Sequence, residues 1–210
     1  MDGEDSVCAF RRTVPSKVTA RFRNELVEDM TYIMQRSTVV FDAQEIVKGV
    51  WLGSATAAMN KNILQQKNIK YALTVARDMV EFEPASTTTS SWFLEHAALE
   101  LFDTEDDLLL GNLDEALKFV DVCLFDPRGG SILVHCMAGV SRSASVVIAY
   151  LMTRKDMRFH QALSMVSDIR EVAAPNDGFM DQLIMLERCK HDYKAALHAY
   201  QNGLDESDDD

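Results

Sequence analysis

Apolar residues return along this chain with two different periods. Val18, Phe22, Leu26, Met30 and Ile33 recur at three- and four-residue steps, which predicts an amphipathic helix over residues 16–36. Residues 46–53 (I-V-K-G-V-W-L-G) read as a strand pair or hairpin bent at Gly49, and residues 69–75 as a buried strand. Residues 55–67 predict a helix between them, and residues 92–101 a further strand. Leu113, Ala116, Leu117, Val120 and Leu124 give helical spacing over 113–125, and Gly129-Gly130 then breaks the pattern. Ile132, Leu133 and Val134 form a short apolar run that reads as a buried strand. Residues 144–152 are almost all apolar and lack Gly and Pro, as suits a helix enclosed on most sides. Residues 159–169 and 178–199 read as two more helices.

Strands alternating with helices predict an α/β class: a single domain with a central, mostly parallel twisted sheet flanked by helices. Ligands in such sheets sit outside the carboxyl ends of the strands. Residues 1–15 hold few packing residues, so an extension carrying the helix is expected over 1–40, with the folded domain over 41–200. Residues 81–91, with their S-T-T-T-S-S run, read as a flexible connection inside the domain, because strand and helix signals resume at once. Residues 201–210 read as a solvated acidic tail.

Composition narrows the function classes. The 47% hydrophobic and 26% charged content of these 210 residues is ordinary for a globular domain. The net charge is −12, but Asp205, Glu206, Asp208, Asp209 and Asp210 supply five of the negatives, so the body is only mildly acidic. Neither nucleic acid nor an anionic membrane is an expected partner. The four cysteines (Cys8, Cys123, Cys136, Cys189) are scattered, with no C-x-x-C pair and no His cluster of metal spacing. No metal and no cofactor are expected. Without a signal-peptide core or a long apolar run, a reduced compartment is expected, cytoplasmic, nuclear or both. Residues 10–24 carry Arg11, Arg12, Lys17, Arg21 and Arg23 and no acid. They read as a solvated basic face, as a docking element for an acidic partner groove, or as a basic amphipathic helix for a helix-binding protein.

The chemistry gathers between the 132–134 strand and the helix after it. There Cys136-Met137-Ala138-Gly139-Val140-Ser141-Arg142 places a cysteine and an arginine around a loop that opens a helix. Such a turn points free backbone N–H groups into one small volume, an anion site strengthened by the helix dipole. The same field favours a thiolate over a thiol. Arg142 adds a planar, permanently charged fork matched to phosphate oxygens. Singly, Cys136 reads as a small buried hydrophobe and Arg142 as a solvated charge. Together, at this spacing and with Gly139 inside the loop, they read as a nucleophile and a phosphate cradle.

His135-Cys136 through Arg142-Ser143 resembles the signature H-C-x-x-G-x-x-R-S of the cysteine-dependent protein tyrosine phosphatases, in the form used by dual-specificity phosphatases. The resemblance runs over about residues 45–186 and implies that family's fold, with a sheet of about five strands. It implies Cys136 as nucleophile, and Arg142 with the backbone of Met137, Ala138, Gly139, Val140 and Ser141 as the phosphate site. It also implies that the Ser143 hydroxyl donates to the cysteine sulfur, while a bland reading makes Ser143 a helix-capping residue. His135, a strand neighbour of the cysteine, is expected to point away from substrate; by resemblance it orders the loop and tunes the thiolate. The loop has no carboxyl group, so the acid must come from elsewhere. Leu101-Phe102-Asp103-Thr104-Glu105-Asp106-Asp107-Leu108 is similar to the family's acid loop, which puts the general acid on Asp103, with Asp106 and Asp107 as alternatives. Ala174-Pro175-Asn176-Asp177-Gly178-Phe179 resembles the family's P-N-x-G-F segment, and Asn176 reads there as structural support. Gly53-Ser54 resembles the L-G-S turn after an early strand.

The uncharged loop side chains resemble those of phosphatases acting on mitogen-activated protein kinases and similar phosphoproteins, rather than phosphoinositide phosphatases with lysines in the loop. L-F-D in place of W-P-D separates the chain from the larger tyrosine-specific enzymes, and with no second upstream domain expected it resembles a small, atypical member. Phosphorylated proteins are the expected partners, a mitogen-activated protein kinase docking on residues 10–24 among them. A non-catalytic phosphoprotein-binding scaffold and a phosphatase for RNA 5′ ends, lipids or glucans are the alternatives. Whether Cys123 can form a protective disulfide with Cys136 depends on their separation.

Overall fold

The computed structural model describes residues 41–77 and 93–203. The expected helix over 16–36, the basic stretch 10–24, the connection 81–91 and most of the acidic tail lie outside the described residues. Five strands form one sheet: β1 (Ala43–Val47), β2 (Val50–Ser54), β3 (Ile69–Val75), β4 (Glu95–Leu99) and β5 (Ser131–Cys136). Their spatial order is β1-β2-β5-β3-β4. Only the β1–β2 hairpin is antiparallel; β2–β5, β5–β3 and β3–β4 are parallel. The hairpin turns at Gly49, whose φ of 86° is a conformation that glycine adopts without steric cost.

β5 is the middle strand, bonded to β2 on one side and β3 on the other, which is why its apolar run does not alternate with polar residues. Ile132 through Cys136 are all buried. The chain leaves β5 through residues 137–141 into α4 (Arg142–Arg154), and α4 is enclosed from Ser143 to Met152. Its apolar surround explains why a 3.6-residue stripe is absent from that segment. α3 (Leu110–Phe125), α5 (Phe159–Ile169) and α6 (Asp177–Arg188) pack on it, and α7 (Tyr193–Asn202) packs on α3 and α6. α1 (Ala55–Met59) and α2 (Lys61–Gln66) lie against β2, β3 and β5.

Two expected helices are each broken in two. The 55–67 helix stops at Met59, and Asn60 starts a new one by accepting the Ile63 N–H on its side chain at 3.2 Å. The 178–199 helix ends at Arg188. Lys190 and His191 take positive φ, and the Asp192 carboxylate then caps α7 through the N–H groups of Lys194 and Ala195. In both places a capping side chain overrode unbroken helical spacing. The expected strand over 92–101 is shorter, at Glu95–Leu99. No helix among the described residues is long and apolar enough to cross a membrane.

Candidate active site

Cys136 ends β5 at the carboxyl edge of the sheet and is 1% exposed. Its sulfur accepts two hydrogen bonds at 3.2 Å, from the Gly139 N–H and from Ser143 Oγ. Ser143 therefore serves the sulfur from within the first turn of α4, and the helix has no side-chain cap from Ser141.

The carbonyls of the loop between Cys136 and Arg142 are all held by groups outside it. The Met137 carbonyl accepts the Ala55 N–H at 3.1 Å, and the Val140 carbonyl accepts the Ala174 N–H at 2.9 Å. The Ala138 and Gly139 carbonyls both accept from the Arg170 guanidinium, at 3.0 and 2.8 Å. The Ser141 carbonyl joins the α4 ladder through the Ser145 N–H at 2.9 Å. A trans peptide points its N–H opposite its C=O. Carbonyls turned outward from Met137 to Ser141 thus turn the N–H groups that follow them inward, around the sulfur.

Gly139 is required for this shape. Its φ is 68°, and a Cβ there would lie 2.5 Å from the Gly53 carbonyl and 2.8 Å from Arg170 Nη2. The L-G-S turn and the loop are thus in backbone contact at two glycines.

Arg142, the first residue of α4, faces Asp103, with Nε 3.5 Å from Oδ2. That spacing is an electrostatic contact without hydrogen-bond geometry, and the buried Nε donates to no protein atom among the described residues. Asp103 is brought to this position by Asn176, whose side-chain amide donates to Asp103 Oδ1 at 3.0 Å. The same Asn176 accepts the Phe179 N–H at the start of α6, and its own N–H donates to Ser141 Oγ at 3.0 Å. One residue therefore ties acid loop, phosphate loop and helix together. Asp107 is committed elsewhere: its carboxylate accepts the N–H groups of Phe102 and Leu108 and closes the acid loop on itself. Asp106 is exposed. Of the three candidate acids, Asp103 alone is placed against Arg142.

His135 points away from the loop. Its Nε2 bonds Thr74 Oγ1 at 2.9 Å, and Thr74 Oγ1 bonds His96 Nε2 at 2.8 Å. Burial and then the neighbouring His96 push its pKa down to about 4, against a backbone hydrogen bond with Cys136 that works the other way. His135 is a neutral strut between strands.

Cys123 and Cys136 are too far apart for a disulfide. Cys123 lies among Tyr71, Glu95, Asp126 and Arg128 at the amino ends of the strands, where Tyr71 pairs with both Glu95 and Ile132. Four residues of β5, roughly 13 Å, separate that level from Cys136, and a disulfide needs Cα atoms within about 7 Å. Burial, then the Glu95 and Asp126 carboxylates, push the Cys123 thiol up to about 12.

Three residues of this site carry no signal in the linear pattern. Arg170 and Gln182 sit in or beside helices, where a polar residue ordinarily faces solvent, and Asp42 precedes the first strand. Gln182 is buried; it accepts the Leu110 N–H and donates to the Asp107 carbonyl, linking acid loop, α3 and α6. Among the described residues, no cluster of His, Cys, Asp and Glu is arranged to hold a metal ion.

A mostly parallel sheet with a cysteine at the end of its middle strand, a loop amide on its sulfur and an arginine opening the next helix is the arrangement of the cysteine-dependent phosphatase class. Residues 50–189 match the family described as dual specificity phosphatase, catalytic domain. Dual specificity protein phosphatase 1 of Arabidopsis thaliana is 40% identical over 143 residues, covering 68% of this chain and 68% of that protein. Dual specificity protein phosphatase 1B of the same plant is 35% identical over 147 residues, covering 70% and 83%. The crystal structure of human tyrosine phosphatase-like serine/threonine/tyrosine-interacting protein superposes with a TM-score of 0.63 at 29% identity, over 72% of this chain and 99% of that one. The chain belongs to the dual specificity phosphatase family and is a protein phosphatase.

Proposed function

We propose that this phosphatase hydrolyses phosphotyrosine and phosphoserine or phosphothreonine in proteins through a phosphocysteine intermediate, with Cys136 as nucleophile and Asp103 as general acid. The observation that carries this reading is the ring of outward-held carbonyls from Met137 to Ser141 around a sulfur that receives the Gly139 and Ser143 bonds. In the first step the Cys136 thiolate attacks phosphorus, an S–P bond forms, and the P–O bond to the substrate breaks. The Asp103 carboxyl gives its proton to the leaving oxygen. Arg142 and the inward N–H groups hold the equatorial oxygens throughout, and this electrostatic positioning supplies most of the rate. In the second step water attacks phosphorus and passes a proton to the Asp103 carboxylate. The S–P bond breaks, and the thiolate returns to the Ser143 hydroxyl as inorganic phosphate leaves.

The uncharged side chains of Met137, Ala138, Val140 and Ser141 favour phosphoproteins over substrates with additional ring phosphates. Met137 and Ala138 are exposed and uncharged, so the phosphate loop itself offers no charge to a second phosphate. The basic residues of 10–24 suit docking to a kinase with an acidic groove, mitogen-activated protein kinases being the class in view. A nucleophilic thiolate suits a reducing compartment, cytoplasm or nucleus.

Cys136→Ser should abolish hydrolysis of an aryl phosphate and retain binding to phosphoproteins, and rapid acid quench of the wild type should trap phosphate on Cys136. Turnover in Cys136→Ser would overturn the mechanism. Removing residues 1–24 should slow dephosphorylation of a phosphorylated kinase and leave that of a small aryl phosphate unchanged; equal rates on the kinase would dispose of the docking element.

A further inference from the structure

The phosphate loop rests on a second arginine. Arg170, just past the end of α5, is 3% exposed, and four of the five N–H groups of its guanidinium are engaged. Nε donates to the Gly139 carbonyl at 2.8 Å and Nη2 to the Ala138 carbonyl at 3.0 Å. Nη1 donates to Asp42 Oδ1 at 2.8 Å and to Gln44 Oε1 at 2.6 Å. These four donors are committed and the side chain is only 2% exposed, so any effect of Arg170 on catalysis runs through the loop.

The peptide unit whose carbonyl Nη2 binds is the one whose N–H, on Gly139, donates to the Cys136 sulfur at 3.2 Å. The next unit, with the Gly139 carbonyl on Nε, carries the Val140 N–H. A permanent positive charge on a carbonyl oxygen draws electron density along the peptide and makes its N–H a stronger donor. The remaining loop carbonyls accept from neutral groups: backbone N–H groups at Met137, Val140 and Ser141, and at Ser141 the Ser145 hydroxyl as well. Asp42 and Gln44, at the start of the sheet, fix the other side of the guanidinium. Burial works against the charge on Asp42, but hydrogen bonds from Arg170 and Ser54 outweigh it and hold the carboxyl below its ordinary range.

We infer that Arg170 is a positioning residue of the phosphate site: held by Asp42 and Gln44, it sets and polarises the two central peptides of the loop, so that Gly139 and Val140 bind the anion more strongly. This rests on the proposal that the loop binds the phosphate of the substrate.

The test uses the full chain and inorganic tungstate as an oxyanion probe, with binding measured by calorimetry in both the wild-type and Cys136→Ser backgrounds. Tungstate binding does not require Cys136 to act as nucleophile, so the role of Arg170 is read separately from the phosphocysteine mechanism. Loss of one direct oxyanion donor costs about 10²–10³-fold, and a donor weakened at second hand should cost about tenfold. Arg170→Met is expected to weaken tungstate binding and lower kcat on an aryl phosphate by about that factor. Arg170→Lys, which keeps the charge and loses the fork, should fall between the two while its melting temperature stays near that of wild type. Tungstate affinity and kcat within twofold of wild type in Arg170→Met would overturn the inference. If Arg170→Met does not fold, Arg170→Lys decides alone, and wild-type tungstate affinity there would overturn it equally.

Discussion

The Asn176 side chain holds Asp103 at 3.0 Å from one end while its backbone N–H holds Ser141 Oγ at 3.0 Å from the other, so the acid loop and the phosphate loop are fixed to a single residue. Asn176→Ala should therefore affect protonation of the leaving group more than phosphate binding. General acid assistance is worth about 10²–10⁴-fold, and a misplaced acid loses part of it. We expect kcat to fall roughly tenfold or more on a phosphoserine peptide, and much less on p-nitrophenyl phosphate, whose leaving group needs little protonation. Loss of the α6 cap should cost about 1 kcal/mol as well, read by urea unfolding. Equal losses on both substrates would show that Asn176 acts only on stability.

Gly178 makes the same junction possible from the backbone side. A Cβ at this position would lie 1.9 Å from the Glu105 carbonyl oxygen, well inside contact distance. Gly178→Ala must push the acid loop outward and carry Asp103 away from Arg142. The expected signature is a kcat at least tenfold lower, with phosphate inhibition close to wild type, because the loop from Met137 to Ser141 is not touched. A crystal structure or an Asp103→Asn comparison would check it: the two single losses should not add if both remove the same proton donor.

The elements that position the site differ in how openly the chain declares them. Ile132–Val134, Gly139 and the apolar 144–152 segment state their structure locally, because a central strand and an enclosed helix need apolar side chains wherever they occur. The spacing of Cys136, Arg142 and Ser143 is equally local, which is why the loop that gathers them could be read directly. The resemblance puts the acid on Asp103, while the residues alone leave Asp106 and Asp107 open; what sets Asp107 apart is that it spends its carboxylate on the Phe102 and Leu108 N–H groups. Arg170 could not be found at all. Its partners Asp42 and Gly139 are 128 and 31 residues away, and a helix-end arginine is ordinarily solvated. The breaks at Asn60 and Asp192 go unread, because helical spacing continues through both and only the side-chain caps end it.

Cys123 should be chemically silent in the folded protein. It is 1% exposed, and its thiol is pushed up to about 12, so almost none is thiolate at neutral pH. Iodoacetamide at pH 7.5 should label Cys136 and leave Cys123 unmodified until the chain is unfolded. Peroxide should inactivate the protein without producing a Cys123–Cys136 disulfide, because the two lie at different levels of the sheet. Peptide mapping under non-reducing conditions checks both, and that disulfide in the folded protein would contradict the geometry.

His135 should make the fold sensitive to mild acid. Its pKa is about 4 in the folded state and about 6.5 in an unfolded chain. Between those values the unfolded chain binds a proton that the folded one excludes, so stability rises with pH across the window and is lost as pH falls through it. Each unit of the difference is worth about 1.4 kcal/mol, so wild type should lose about 2 kcal/mol between pH 6.5 and 5 from this group, with little change above pH 7. His135→Gln keeps a polar atom for Thr74 Oγ1 but has nothing to titrate. Urea unfolding of both proteins at pH 7, 6 and 5 isolates the contribution, since the carboxylates are common to the two. The variant should start less stable and show a flatter slope; parallel slopes would mean that His135 takes up its proton without opening the sheet.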